Sequence, residues 1–372
     1  MICRAIEAGR HPGARSLFSL LASCTDGVIP VLHRKIERKI MTTSAFETKS
    51  VLAELRAIHI ETERDVELRR QLDRLLDVRN DGAMTVHPVR FAGGLETRGI
   101  AMIEPAGGGK TTAVQNVLAS YPALQDNPET GRPRYLHAQV ESPATQKSLG
   151  IAILRELGID RISERAKVWE IWDMVRHRLA LNGIIVLWID EAHDLFGKGS
   201  DREVDRMLKM LKSLMQGETA VIVLLSGTER LGQMTSVDPQ VSRRFVKIIP
   251  SSLEPGAHTD SLGKMIAAYC EVAGLAFRQE RDLVHRLIYG SRNRFGRAIE
   301  TSINAIEVAL ERGAETLTPD DFAEAWGMGE SCAWSENVFV AHHWQKLDLD
   351  PLEDDPSALR SGNGRERSRR KG

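Results

Sequence analysis

The segment Pro105-Ala106-Gly107-Gly108-Gly109-Lys110-Thr111-Thr112 stands between an apolar run and a stretch of helix-forming residues. Three glycines let main-chain N–H groups turn inward around an anion without Cβ clashes. The helix N-terminus behind them adds partial positive charge at the same place. A lysine at the end of such a loop reaches the β- and γ-phosphates of a nucleoside triphosphate, and the next hydroxyl ligates Mg2+. The spacing therefore makes Pro105 to Thr112 a phosphate cradle, with Lys110 on the phosphates and Thr111 on the metal. Glu104 departs from the pattern, because it occupies the place of the loop's usual first glycine. A carboxylate there either repels phosphate or points away from the loop.

A second apolar run, Ile184 to Ile189, ends in Asp190-Glu191-Ala192-His193. Carboxylates at the end of a buried strand fall next to the phosphate loop. Asp190 is then expected to hold Mg2+, and Glu191 to orient and polarise an attacking water as general base. The other reading is an acidic helix start stabilised by the helix dipole. His193 lacks a second histidine at ligand spacing and reads as a structural residue. After the next apolar run come Ser226-Gly227-Thr228, where a hydroxyl can hold the water or sense the γ-phosphate. Thr228 is the first choice and Ser226 the second. Arg243-Arg244 lie just before an edge strand, where a guanidinium can meet a neighbouring subunit's nucleotide. Arg244 is preferred, and a plain surface pair is the alternative. Arg297, opening a later helix after Gly296, can reach back to the γ-phosphate.

The elements that position these residues are legible in the hydrophobic pattern. Gly99 to Ile103, Tyr135 to Val140, Ile184 to Ile189, Ala220 to Leu225 and about 246–250 read as strands. Helical stretches alternate with them over 110–120, 144–157, 167–181, 201–216 and about 238–245. Strands that alternate with helices imply a parallel sheet in a three-layer α/β domain, with the strand C-termini on one edge. Apolar residues at three- and four-residue steps predict helix over 45–80, stopped by Asn80-Asp81-Gly82. After Pro255 only helical patterns follow, including one that Thr318-Pro319 opens as N-cap and first turn. The expected domains are a helical N-terminal region at 45–94, the α/β domain at 95–255 and a small all-helical domain at 256–334. Residues 1–44 and 335–372 are expected to be a disordered or misannotated extension and a disordered tail.

The 372 residues carry 50 Lys and Arg against 51 Asp and Glu, a net charge of -1, which excludes a protein that holds DNA by bulk positive charge. Cys3, Cys24, Cys270 and Cys332 lie far apart with no paired motif, so neither a disulfide scaffold nor a zinc ribbon is expected, and a reducing cytoplasm suits them. No apolar run reaches the about eighteen residues of a membrane helix, so no membrane partner is expected. The stretch from Leu17 to Ala22 before Cys24 is too short for a secretion signal. Met41-Thr42-Thr43-Ser44 looks like a natural N-terminus, so both Met1 and Met41 stand as starts.

Taken together, the loop, the Asp190-Glu191 pair, Thr228, Arg244 and Arg297 come in an order that resembles the AAA+ ATPases over about 95–330. Ile189-Asp190-Glu191-Ala192-His193, Ser226-Gly227-Thr228-Glu229, Arg244-Phe245 and Gly296-Arg297 are similar, more narrowly, to the TniB-type transposition ATP-binding proteins, relatives of Mu B and the ExeA-like ATPases. The resemblance implies a three-layer P-loop NTPase sheet followed by a helical lid, with ATP and Mg2+ as cofactors. It implies sensor roles for Thr228 and Arg297, and an arginine finger at Arg244. It also implies an ATP-hydrolysing oligomer, ring or filament, that assembles on double-stranded DNA and recruits or activates a transposase. Arg202, Arg206, Lys209 and Lys212 recur along one helix as a candidate DNA strip, although a solvated charged face explains them as well. Arg365, Arg367, Arg369, Arg370 and Lys371 could add non-specific attraction. The alternatives are an ATPase of a secretion or cell-envelope assembly system and a low-turnover nucleotide switch.

Overall fold

In the computed structural model residues 46–350 are described, apart from 81, 83, 92, 141–143, 164, 197–200, 238 and 281. The expectations for residues 1–44 and for the arginines beyond 360 lie outside the described residues. The chain opens with helix α1 (46–57) and α2 (Glu63–Leu75). The sequence predicts one helix over 45–80; the structure breaks it twice. Thr62 starts α2, its N–H and hydroxyl both donating to Asp65 Oδ2 at 2.8 Å. After Leu75 the chain becomes extended, and β1 (Leu76–Val78) pairs antiparallel with β2 (Met84–Pro88). Leucine periodicity runs on through Leu75 and Leu76, which is why the hairpin is hidden in the sequence.

The strands β3 (Gly99–Ile103), β4 (Tyr135–Gln139), β5 (Val186–Asp190), β6 (Ile222–Gly227) and β7 (Phe245–Ile248) form one parallel sheet in the order β4-β5-β6-β3-β7. Every residue of β3, β5 and β6 is buried, as expected where helices cover both faces. Alternation along each strand divides the core. Ala101, Ile103, Leu187, Ile189, Val223 and Leu225 face one cluster, and Ile100, Met102, Val186, Trp188, Ile222 and Leu224 face the other.

The helices follow the same division. Helix α3 (Lys110–Ser120) joins α2 on the second face, through Val114, Val117 and Leu118 against Leu68, Leu72 and Leu75. Helices α4 (Gln146–Glu156), α5 (Val168–Leu181) and α6 (Asp201–Leu214) supply the first face. Helix α7 (Glu229–Val237) follows β6 where the sequence pattern marks no helix, and the short α8 (Pro239–Ser242) precedes β7. The expected α/β fold class is thus present.

The helical domain contains α9 (Thr259–Ala273), α10 (Leu283–Gly290), α11 (Phe295–Glu311) and α12 (Pro319–Glu330). Thr318 precedes α12 as predicted, donating through N–H and hydroxyl to Asp321 Oδ2 at 2.8 Å. Two short parallel strands, Ala276–Phe277 and Thr316–Leu317, also pair here, where the sequence shows only helix. The packing runs past residue 334: Val338, Phe339 and Trp344 enter the helical core, and Arg286 donates to the carbonyls of Val338 and Ala341. Leu52 and Leu55 of α1 join that core as well, so the N-terminal region divides between the two domains.

Candidate nucleotide site

Parallel register sets the site. Gln139 pairs with Asp190 and Ile103 with Gly227, so the strand ends line one edge of the sheet. The loop from Pro105 leaves β3 at that edge and enters α3. Gly107 and Gly109 adopt φ of 78° and 110°, a region that only glycine enters freely. The loop carbonyls are engaged from outside. Gly296 N–H donates to Gly108 O at 3.2 Å, Arg297 N–H to Gly107 O at 3.0 Å, and Arg294 Nη1 to Ala106 O at 3.1 Å. In a trans peptide the N–H points opposite to its carbonyl. The amides of Gly107 and Gly109 therefore turn away from α11, and the leading amides of α3 beside them lack helical partners. The result is a glycine loop at a helix N-terminus with Lys110, itself buried, at its base, an arrangement able to cradle an anion.

Asp190 is the node of the edge. Its Oδ2 accepts from Thr111 Oγ1 at 2.9 Å, and its Oδ1 accepts from Ser226 Oγ at 2.5 Å and from Glu191 N–H at 3.0 Å. Ser226 in turn accepts from Trp188 Nε1 at 2.8 Å, and the Trp188 ring stacks on His137 at 3.9 Å. Ser226 is therefore the hydroxyl that reaches the acid. Thr228 caps α7 instead, its carbonyl accepting from Leu231 N–H at 2.8 Å.

Glu191 has φ of 50°, an uncommon conformation for a side-chain-bearing residue, and this turns its carboxylate back over the loop. Its Oε1 lies 3.8 Å from Lys110 Nζ and its Oε2 lies 3.1 Å from His193 Nδ1. His193, expected to be merely structural, thus faces Glu191. Among the described residues no group of three or more His, Cys, Asp or Glu could hold a metal. A magnesium ion on phosphates needs only one or two protein oxygens. The adjoining Thr111 hydroxyl and Asp190 carboxylate fit that demand.

Arg297 and Arg244 have opposite surroundings. Among the described residues no ion pair engages Arg297, although its side chain lies against Gly107, where a Cβ would come within 2.8 Å of it. Burial, together with the charges of Arg292 and Arg294, holds its guanidinium below the ordinary value. A cation without an ion-pair partner, beside a glycine loop at a helix N-terminus, suits an anion. Arg244 is instead buried and committed within its own chain: it pairs with Glu96, and its Nη1 donates to Gln240 O at 2.6 Å. Burial alone would push Glu96 up, but the hydrogen bond and charge of Arg244 hold its carboxyl below the usual range. The predicted finger role would require this buried guanidinium to leave Glu96 and become exposed to a neighbour. Arg243 is exposed.

A cavity of about 340 Å³ adjoins the cradle, lined by Ile58, His59 and Ile60 before α2, by Gly109 and Thr112, and by Phe295 and Ile299 of α11. Its walls come from the N-terminal segment, the loop and the helical domain. The sequence pattern did not reveal it, because no short motif joins residues so far apart.

Loop, acid pair and sheet order define a P-loop NTPase fold of the AAA+ type. The family model described as Bacterial TniB protein matches residues 92–252. No curated protein matches the sequence. The structure of the Aeropyrum pernix Orc1 protein in complex with DNA is similar with a TM-score of 0.52 and 18% identity, over 75% of this chain and 69% of that one. Cdc6p from Pyrobaculum aerophilum gives 0.49 and 16%, over 74% and 69%. The Orc1 likeness shows the fold, and residues 92–252 are similar to the Bacterial TniB protein family. Among the described residues no helix is long and apolar enough to cross a membrane.

Proposed function

We propose that this chain is a magnesium-dependent ATP hydrolase that regulates DNA transposition, working in the cytoplasm as a ring or filament on duplex DNA and recruiting or activating a transposase. The observation that carries the ATPase part is the Thr111–Asp190–Ser226 chain beside the glycine cradle. The TniB family match supports the transposition part. The Orc1 protein of similar fold is in complex with DNA, which favours DNA as a partner here.

In this reading Gly107, Gly108, Gly109 and Lys110 hold the phosphates, and Thr111 and Asp190 would hold Mg2+. The metal, when bound, neutralises charge on the phosphate oxygens. Ser226 and the Glu191 amide fix the direction of Asp190. Glu191 orients the water and takes its proton. Arg297 offers its unpaired charge to the γ-phosphate and carries that contact into the helical domain. The base of the nucleotide occupies the cavity between Ile58–Ile60 and Phe295. Thr228 stands at the same sheet edge as a polar neighbour of the water. Arg243 reaches the neighbouring subunit in this reading, a role supported by its exposure where Arg244 is buried.

DNA contact by α6 draws on exposed Arg206 and Lys209, although Lys209 already pairs with Asp205 at 2.7 Å and Lys212 donates to Gln240 at 2.8 Å. Such contact is electrostatic and weakens steeply with salt. ATP turnover measured with and without duplex DNA, and with assembly followed by electron microscopy, tests the proposal. DNA-dependent assembly in ATP supports it; turnover with no DNA binding at any salt removes the transposition role.

A further inference from the structure

Glu104 is the departure from the phosphate-loop pattern, and its surroundings are unusual. It is buried at 6% exposure, and so is Arg64 of α2 at 5%. Arg64 Nε lies 3.1 and 3.0 Å from the two carboxylate oxygens, and Nη2 lies 2.5 Å from Oε1. The Glu104 side chain is folded against the loop itself, for a Cβ at Gly108 would fall 2.1 Å from its Cδ. Arg64 also donates to Thr62 Oγ1 at 3.3 Å, and its guanidinium carbon stands 5.3 Å from the centre of the Phe295 ring. Phe295 is the first residue of α11, the helix whose amides hold the loop carbonyls. One guanidinium thus touches the N-terminal segment, the phosphate loop and the helical domain, and it also lines the cavity.

We infer that Arg64 is a positioning residue for nucleotide binding: it neutralises the Glu104 carboxylate that this loop carries in place of glycine, and so keeps the cradle receptive to phosphate. The inference rests on the nucleotide reading above. A carboxylate against an anion cradle opposes phosphate binding by Coulomb repulsion that is strong where water is excluded. A bidentate arginine cancels that charge and holds the carboxylate turned from the phosphates. The same contact sets Phe295, so the loop and the helical domain are held in one arrangement.

The experiment compares Kd for MgATP, by displacement of a fluorescent ATP analogue, in the unsubstituted chain, Arg64→Met, Glu104→Gln and the double variant. Arg64→Met weakens binding at least about tenfold, because the carboxylate stays behind without its partner. The double variant returns to within about threefold of the unsubstituted chain, since charge has been removed with charge. Glu104→Gln alone binds as tightly or more tightly. Unchanged binding in Arg64→Met, or a double variant as weak as Arg64→Met, overturns the inference and leaves Arg64 a packing residue. Should Arg64→Met fail to fold, Glu104→Gln decides: binding equal or tighter supports the inference, and a loss beyond threefold overturns it. If the unsubstituted chain takes up no ATP, the nucleotide reading fails and the inference with it.

Discussion

Ser226 is fully buried, and its hydroxyl both receives the Trp188 indole N–H and reaches Asp190. Ser226→Ala leaves that indole without an acceptor, at a cost of about 1–3 kcal/mol. The expected result is a lower melting midpoint and a turnover rate that falls more than ATP affinity does. Unchanged turnover would show that Asp190 needs no such support. Spacing alone does not single out Ser226, because the apolar run ends at Leu225 and both hydroxyls fall beyond it. In the structure β6 continues to Gly227, which keeps Ser226 inside the sheet next to Trp188. At the same scale, burial in the α9 core pushes the Cys270 thiol up to about 12 from an ordinary 9.0. The folded state therefore keeps the proton that the unfolded chain gives up. That contribution is complete below pH 9.0 and fades as pH rises toward 12. Iodoacetamide at pH 8 should leave Cys270 unmodified in the folded protein, with mass spectrometry as the readout.

Among the elements, α11 depends on a glycine. A Cβ at Gly296 would meet Gly107 O at 2.6 Å and Gly109 N at 3.2 Å, all main-chain atoms with no room to give. Gly296→Ala should push the helix off the loop and weaken ATP binding by about tenfold, on the order of 1.4 kcal/mol. Binding at full strength would mean that the loop holds its shape unaided. The Gly296-Arg297 pair was visible in the sequence, but the hydrogen bonds it makes to loop carbonyls were not, since they join segments far apart in the chain. The same limit hid the Glu96–Arg244 pair. Arg244→Ala strands a largely buried Glu96 carboxylate and should cost about 3–5 kcal/mol of stability, seen as a large drop in the urea midpoint. Helix α7 escaped notice for a local reason: Gly227, Gly232 and the polar residues between them look like a turn, while Leu231 is the buried anchor.

For the whole molecule, the sheet, its helices and the helical domain were legible because fully buried strands read as continuous apolar runs and amphipathic helices keep their period. The phosphate loop and Asp190-Glu191 were legible because each is contiguous in sequence. The cavity, the Arg64–Glu104 pair and the passage of α1 into the helical core were not, because they are products of docking between domains. Assembly belongs to this scale too. Arg243→Ala should leave ATP binding intact and lower the turnover of the assembled oligomer about a hundredfold or more, in line with an arginine acting in trans. Equal specific activity in that variant would remove Arg243 from the interface. The central claim is a triphosphate held by the glycine cradle and Lys110, with Glu191 handling the water. It is tested most directly by measuring ATP binding and hydrolysis side by side in Lys110→Ala and Glu191→Gln. Lys110→Ala should lose binding, whereas Glu191→Gln should bind ATP normally and stop turning it over; hydrolysis persisting in either variant would contradict these roles.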